Sequence, residues 1–244
     1  MKVPLSKRLQ ACAEFIVFGD RVADVGCDHG YLGIHLLQNN IASSVIAADV
    51  RQKPLQSAKS NAEKFGVIDR MEFYLSDGVA QLPKDFTVLV CAGMGADTII
   101  SILDAAQWLK DASYRLILQC QTRTPLLRHY LSEAGWQITE EKVLRDGHFL
   151  YTVMEVCWNP DCQKLSPGQW FLTPALLEST TLELPEYYQY QLFKLQRIVD
   201  GRKDQADSLV LTALAELRAL TARPELQWLT EETYDFCKRY SNSD

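Results

Sequence analysis

Residues 21–30 read RVADVGCDHG, and this stretch decides the fold. Its first five residues, Arg21–Val25, are typical of a short buried strand, and a helical pattern begins at Tyr31. Between them, Gly26 lets the backbone approach a ligand without a clash from a Cβ atom. The helix that follows presents unpaired N–H groups at its N-terminus. The unit therefore predicts a ligand-binding turn, although this stretch alone is also compatible with an ordinary β–α turn that has an aspartate N-cap.

The spacing of the glycines in this turn discriminates between nucleotide cofactors. Dinucleotide-binding turns prefer the pattern G-x-G-x-x-G. Here Gly26 and Gly30 are four residues apart, and Asp28 lies between them. A carboxylate is unfavourable beside a pyrophosphate and favourable beside a cationic sulfonium. The turn thus disfavours a dehydrogenase and favours S-adenosylmethionine as the cofactor.

Strands and helices alternate beyond this unit. Short apolar runs separated by helical patterns predict a parallel sheet with helices on both faces. The predicted strands are Arg21–Val25, Ser44–Asp49, Met71–Leu75, Phe86–Cys91 and Arg115–Cys120. The predicted helices are Tyr31–Asn40, Lys53–Phe65, Asp97–Lys110 and Thr124–Ala134.

An antiparallel hairpin is predicted to end the sheet. Gln137–Leu144 and Phe149–Val156 read as strands, and residues 145–148, which join them, contain Asp-Gly, a hairpin signal. This ending differs from the all-parallel dinucleotide fold and is typical of class I methyltransferases. We therefore predict an α/β, Rossmann-like domain with a seven-stranded sheet over residues 1–158.

Residues 159–244 carry helical patterns, and they predict a small α-helical, coiled-coil-like domain. One helix begins at Pro185 and is expected to break at Gly201. A second has apolar residues at three- and four-residue spacing between Leu209 and Leu220. A final helix is predicted over Glu231–Tyr240.

The composition excludes several classes of protein. No run of about 18 apolar residues is present, which argues against a transmembrane helix, and residues 1–10 lack the apolar core of a secretory signal. The net charge of -6 argues against a protein that coats nucleic acid through a general positive field, although a local basic face is compatible with it. Seven cysteines without zinc-ligand spacing predict reduced thiols, a cytoplasmic protein and no structural metal.

Polar or glycine-containing segments follow four successive predicted strands. The carboxyl ends of parallel strands meet at one edge, so these segments are expected to converge in one crevice. Asp24 is expected to meet the ammonium group of the cofactor through water or backbone, Asp49 is expected to meet its ribose hydroxyls, and Asp77 its adenine amino group. Residues 91–95, which follow the fourth strand, lie where the methyl group would be delivered. The predicted cofactor-binding residues are Asp24, Gly26, Cys27, His29, Gly30, Asp49, Val50, Ser76, Asp77, Gly78, Ala92, Gly93 and Met94.

These motifs resemble those of the bacterial tRNA (adenine(22)-N1)-methyltransferase family. The resemblance covers about residues 5 to 157, and its motifs are LSKRL at 5–9, ADVGCDHGYL at 23–32, ADV at 48–50, SDG at 76–78, AGMG at 92–95 and Leu131-x-x-x-Gly135-Trp136. It implies a class I methyltransferase that acts on N1 of adenine 22 in the D-arm region of tRNA, with a helical C-terminal domain that helps to bind tRNA. The sequence departs from the family at Gly33, Cys120, Gln121 and His148, and the last three bear on substrate contacts more than on cofactor contacts.

Asp28 is the candidate catalytic residue. Adenine N1 is unprotonated at neutral pH, so methyl transfer needs no strong base, and the product base is cationic. A nearby carboxylate would stabilise that charge and accept a hydrogen bond from the N6 amino group. Because N1 lies on the Watson–Crick edge, the base must be unpaired or flipped. Arg8, Tyr31 and Gly95 are the expected substrate-binding residues, and Tyr31 or Met94 could pack against the base.

Several alternatives stay open at this point. His29 could shuttle protons, and Cys91 could be a covalent nucleophile, as cytosine C5 methylation requires. The chain could methylate another RNA base or a small molecule, or it could be a non-catalytic cofactor-binding module that dimerises. We expect tRNA as the partner, no membrane, and a monomer or homodimer. The candidates for a phosphate-facing surface are Arg8, Arg51, Lys53, Arg123 and Arg128.

Overall fold

The computed structural model describes residues 3–179, 181–202 and 207–230, so the predicted helix Glu231–Tyr240 lies outside the described residues. The strands are β1 (Asp20–Val25), β2 (Ala42–Asp49), β3 (Met71–Leu75), β4 (Val88–Gly95), β5 (Arg115–Thr122), β6 (Trp136–Asp146) and β7 (Phe149–Trp158). The helices among them are α1 (Lys7–Ala13), α2 (Tyr31–Gln38), α3 (Gln52–Lys64), α4 (Ala96–Ala105) and α5 (Thr124–Ala134).

The seven strands form one sheet in the order β3-β2-β1-β4-β5-β7-β6. The first five run parallel, and β7 pairs antiparallel with both β5 and β6. This arrangement confirms the predicted Rossmann-like sheet with its antiparallel hairpin. The strand order reverses between β1 and β4, so the loops that follow these two strands diverge and leave a crevice at their carboxyl ends. The turn at Gly26 lies at this point.

Apolar side chains cover both faces of the sheet. Successive residues of a strand point to opposite faces, so Val22 and Val45 belong to one buried cluster and Ala23 and Ile46 to the other. Helix α2 lies so close to β2 that a Cβ atom on Gly33 would be 2.8 Å from Cγ1 of Val45. The departure from the resembled family at residue 33 therefore has a packing role.

Some element boundaries differ from the expected ones. The helix expected over Asp97–Lys110 ends at Ala105, and a separate 3₁₀ turn over Gln107–Leu109 lets Leu109 reach the core. The strand expected over Phe86–Cys91 begins at Val88 and continues to Gly95, because its pairing with β5 extends that far.

The described residues after β7 form helices α6 (Pro174–Leu177), α7 (Leu184–Arg202) and α8 (Ser208–Leu220), followed by a 3₁₀ segment. Helix α7 is described as far as Arg202, one residue beyond the expected break at Gly201, and the separate helix α8 begins at Ser208. Buried residues such as Tyr188, Leu195 and Leu217 form a third apolar cluster, which also includes Val143 of β6. The domain boundary at residue 158 stays a prediction.

Arg128 is fully buried, which corrects the expectation that it faces phosphate. Its Nε and Nη2 atoms donate to Oε1 of Glu141 at 3.1 and 2.6 Å. Its Nη1 atom donates to the carbonyl oxygens of Trp170 and Phe171 at 3.0 and 2.8 Å. The second carboxylate oxygen of Glu141 accepts a 2.7 Å hydrogen bond from Thr173. This network joins α5, β6 and the segment that leads into the C-terminal helices.

The described part of the chain has three further properties. None of its helices is long and apolar enough to cross a membrane. The cysteines within it are free thiols. No cluster of three or more His, Cys, Asp or Glu side chains that could hold a metal ion is found there.

Substitution of Arg128→Met is expected to lower the free energy of unfolding by about 3–5 kcal/mol, because Glu141 then stays buried without its cation. Urea denaturation measures this change. The matched control is Arg123→Met, which removes an exposed ion pair with Asp97 at 2.8 Å and should cost less than about 1 kcal/mol. Similar small losses in both variants would contradict the role assigned to Arg128.

Candidate functional site

A cleft of about 750 Å³ opens at the carboxyl ends of β1, β2, β3 and β4. It lies where the strand order reverses, so the segments that follow four separate strands contribute to one cavity. The predicted site residues that line it are Arg8, Asp24, Gly26, Cys27, Asp28, Asp49, Val50, Ser76, Asp77, Gly78, Ala92, Gly93 and Met94.

Four predicted site residues do not line the cleft. Gly30 precedes α2 with φ 70°, and a Cβ atom on it would lie 3.0 Å from Cβ of Ala58, so this glycine serves the packing of α3. The exposed ring of His29 stacks on Tyr31, with 5.5 Å between the ring centroids. Gly95 is the N-cap of α4. Sequence spacing alone did not separate these residues from their neighbours that reach the cavity.

The turn after β1 has an unusual backbone. Gly26 and Asp28 both have positive φ, 73° and 49°, and a positive φ is uncommon for any residue other than glycine. The N–H groups of Gly26 and Cys27 donate to the carbonyl oxygen of Ala48 at 2.8 and 2.9 Å, which fixes the turn against β2. A Cβ atom on Gly26 would lie 2.5 Å from Cε of Met94. The turn therefore lies close to β4, and the side chain of Asp28 lines the cleft while 64% exposed.

Asp24 is a buried acid whose carboxylate has no hydrogen bond from any other described residue. It is only 4% exposed, yet it lines the cleft. Burial, and next the nearby charge of Asp49, raise its pKa from 3.8 to about 7. A cationic ligand group would supply the partner that this carboxylate lacks.

The opposite half of the cleft is built from the ends of β2 and β3. Oδ1 of Asp49 accepts a 2.9 Å hydrogen bond from the N–H of Arg51, which orients the carboxylate. After β3, the hydroxyl of Ser76 donates to the carbonyl oxygen of Gly78 at 2.9 Å and so fixes the loop that carries Asp77. Val50 directly follows Asp49 in the chain, and its exposed apolar side chain also lines the cavity. This half therefore combines carboxylates with an apolar surface.

Gln119 is a positioning residue that sequence reasoning missed. It is fully buried in β5, and its Oε1 atom accepts hydrogen bonds from the N–H of Gly93 at 3.0 Å and from Nη1 of Arg8 at 3.2 Å. Arg8 also donates from Nε to Oδ2 of Asp146 at 3.3 Å. These bonds hold α1 against the sheet and make Arg8 part of the cleft wall. The available signal was a polar side chain inside the apolar run of β5.

Other lining residues also escaped the sequence analysis, and several lie on the first turns of α4. They share no motif, and their common feature is proximity to the crevice. The lining residues that were not predicted are Leu9, Val25, Leu32, Asp97, Thr98, Ser101, Ile102 and Gln121.

The thiol of Cys91 is unsuited to nucleophilic attack. The residue is fully buried at the end of the apolar part of β4 and is absent from the cleft lining. Burial, and next the charge of Asp24, raise its pKa to about 12, so the thiolate is scarce at neutral pH. This argues against the covalent mechanism left open by the sequence.

Comparison with known proteins gives a consistent result. A family model described as a methyltransferase domain matches residues 5–154. The tRNA (adenine(22)-N(1))-methyltransferase of Bacillus subtilis is 33% identical over 154 residues, which are 63% of this chain and 65% of that protein. A putative tRNA methyltransferase of Mycoplasma pneumoniae is 33% identical over 176 residues, 70% of this chain and 79% of that protein. A putative tRNA (m1A22) methyltransferase of Streptococcus pneumoniae, solved in complex with S-adenosyl-L-methionine, superimposes with a TM-score of 0.76 at 30% identity, and the match covers 88% of this chain and 99% of that one.

The raised pKa of Asp24 predicts a pH-dependent stability. Because the folded pKa lies above the ordinary value, the contribution of this group is present below pH 4 and is lost as the pH rises through about 7. Without ligand, Asp24→Asn should therefore be more stable than the wild type at pH 8, by on the order of 4 kcal/mol.

Urea denaturation between pH 4 and pH 8 measures this difference. The matched control is Asp77→Asn, because Asp77 is exposed and the same change there should leave the profile unaltered. Parallel stability profiles for the wild type and Asp24→Asn would refute the prediction.

Proposed function

The chain belongs to the methyltransferase-domain family, and we propose that it transfers a methyl group from S-adenosylmethionine to N1 of adenine 22 in tRNA. The observation that most directly supports this cofactor is the buried carboxylate of Asp24, which has no partner among the described residues and lies in a cleft where the strand order reverses. The choice of tRNA rests on the relatives in Bacillus subtilis and Mycoplasma pneumoniae.

The residues of the cleft fit the chemical groups of S-adenosylmethionine. When bound, the cofactor supplies an electrophilic methyl group on a sulfonium. Asp24 would pair with its ammonium group, and Asp49 would accept hydrogen bonds from its ribose hydroxyls. Asp77 would accept a hydrogen bond from the adenine amino group, and the apolar side chain of Val50 would pack on the adenine ring. The positive φ of Gly26 permits the close backbone approach that the ligand needs.

Asp28 is the proposed catalytic residue. The lone pair of adenine N1 forms the new N–C bond while the C–S bond breaks and its electrons stay on sulfur. The base becomes cationic, and the carboxylate of Asp28 would stabilise that charge and accept a hydrogen bond from the N6 amino group. The left-handed backbone of Asp28 lies in the turn that also follows Asp24, so one turn serves both the cofactor and the target base. The fixed turn reduces the reorganisation that the reaction requires.

The proposed substrate requires an unpaired or flipped adenine, because paired bases do not expose N1. The C-terminal helices would contact the body of the tRNA, as the family resemblance implies. A tRNA-modifying enzyme works where tRNA is, so the proposal includes a cytoplasmic location. The expected oligomeric state, a monomer or a homodimer, stays a prediction.

The decisive experiment is methylation of a tRNA transcript in vitro. The protein, S-adenosylmethionine and the transcript are incubated, and the RNA is digested and analysed by mass spectrometry. We expect 1-methyladenosine at position 22 and none in a transcript with guanine at that position. A methyl group on another base would refute the proposed site, and transfer only to a small molecule would refute RNA as the substrate.

The variant Asp28→Ala tests the division of roles within the turn. We expect kcat to fall about 100-fold, because the developing positive charge loses its counter-charge, while the Kd of the cofactor measured by calorimetry stays unchanged. Asp24→Asn, the matched comparison, should weaken cofactor binding by about tenfold or more. Normal turnover of Asp28→Ala would contradict the catalytic role, and loss of cofactor binding would reassign Asp28 to the cofactor site.

A further inference from the structure

An aromatic and cationic surface lies beside the cleft on the β6–β7 hairpin. We call it the hairpin strip; it consists of Phe149, Tyr151 and Arg8. The two aromatic residues are two positions apart on β7 and so share one face of the strand, with 6.1 Å between their ring centroids. The guanidinium carbon of Arg8 lies 5.4 Å from the centroid of the Tyr151 ring. Because Arg8 also lines the cleft, the strip is continuous with it.

The exposed ring of Phe149 has no evident role in the core. It is 65% exposed, at the end of the hairpin where Phe149 pairs with Asp146. The opposite face of the hairpin packs against the C-terminal helices, because Leu150 and Val143 belong to their apolar cluster. The ring does not stand alone but is contiguous with Tyr151 and Arg8 beside the cleft, and it is contiguous exposed apolar surface that marks contact sites.

The hairpin strip is held in place from several sides. Arg8 bonds to Asp146 and to the buried Gln119, which positions it between the hairpin tip and β5. On the other side of the tip, Arg145 forms an ion pair with Glu186 of α7. The guanidinium of Arg8 is therefore already ordered before any ligand binds, which lowers the cost of ordering side chains at that end of the strip.

From this arrangement we propose that Phe149 stacks on the nucleotide adjacent to the methylated adenine, and that Tyr151 and Arg8 continue this contact into the cleft. The inference rests on the proposed function and adds a specific RNA contact to it. Every base has a π-face, so aromatic side chains bind unpaired nucleotides without reading their sequence, and arginine adds a cation–π contact and a phosphate partner. Stacking here would also offset the cost of taking the target adenine out of its own stack. Recognition by stacking suits a chain whose net charge is -6.

The test compares Phe149→Ala with Phe149→Trp and with Phe18→Ala. Phe18 is 88% exposed and precedes β1, at the edge of the sheet opposite the cleft, so it is a matched control for loss of an exposed phenyl ring. We expect Phe149→Ala to raise the KM for tRNA about tenfold or more, as the loss of one stacked base predicts. Phe149→Trp should retain a KM near that of the wild type, Phe18→Ala should behave as the wild type, and no variant should alter the Kd of S-adenosylmethionine.

A second measurement reports the stack directly. A tRNA that carries 2-aminopurine next to the target adenine should show fluorescence quenching by the wild type and by Phe149→Trp, and little by Phe149→Ala. If the wild type methylates tRNA and Phe149→Ala has an unchanged KM and unchanged quenching, the hairpin strip is overturned while the proposed function stands. If the wild type methylates no RNA, the proposed function fails and this inference fails with it.

Discussion

The parallel pairing of β1 with β4 is the constraint on which the rest of the site depends. These strands are neighbours in the sheet, although two strands and two helices separate them in the chain. Because the connections on either side of this pair run in opposite directions, the loops after β1 and β4 diverge and leave a cleft. The glycine turn after Asp24, the acid at the end of β2 and the segment at Gly93 reach one cavity only because of this strand order.

Two buried acids show two different outcomes of removing a carboxylate from water. Glu141 lies in the core, but Arg128 and Thr173 satisfy its carboxylate, and this network connects the sheet to the C-terminal helices. Asp24 is also buried, although it lines the cleft, and it has no such partner among the described residues, so its burial and the charge of Asp49 raise its pKa. A buried charge with its counter-ion is costly to disrupt by removal of one partner, whereas an uncompensated one at a cleft indicates a ligand of opposite charge.

The first helix illustrates how distant segments complete the cleft. Arg8 contacts β5 through Gln119 and the hairpin through Asp146 and Tyr151, so one side chain connects the first helix to two segments that are distant from it in the chain. Gln119 also holds the N–H of Gly93, which couples the cleft wall to the backbone of β4. The departures from the resembled family at Cys120 and Gln121 directly follow this residue, and Gln121 lines the cleft. Substrate contacts in this chain are therefore expected to differ in detail from those of its relatives.

The sequence by itself determined the order of strands and helices, the closing hairpin and the convergence of Asp24, Asp28, Asp49 and Asp77. These features follow from local periodicity and from the rule that the carboxyl ends of parallel strands share an edge. Only the tertiary structure decided that Arg128 is buried, that Gln119 holds Gly93 and Arg8, and that Gly30 serves helix packing rather than the cavity. An arginine reads as a surface residue and a turn glycine as a ligand contact until the partner is known. Those partners lie on segments far away in the chain, and local pattern carries no information about which distant segments will meet.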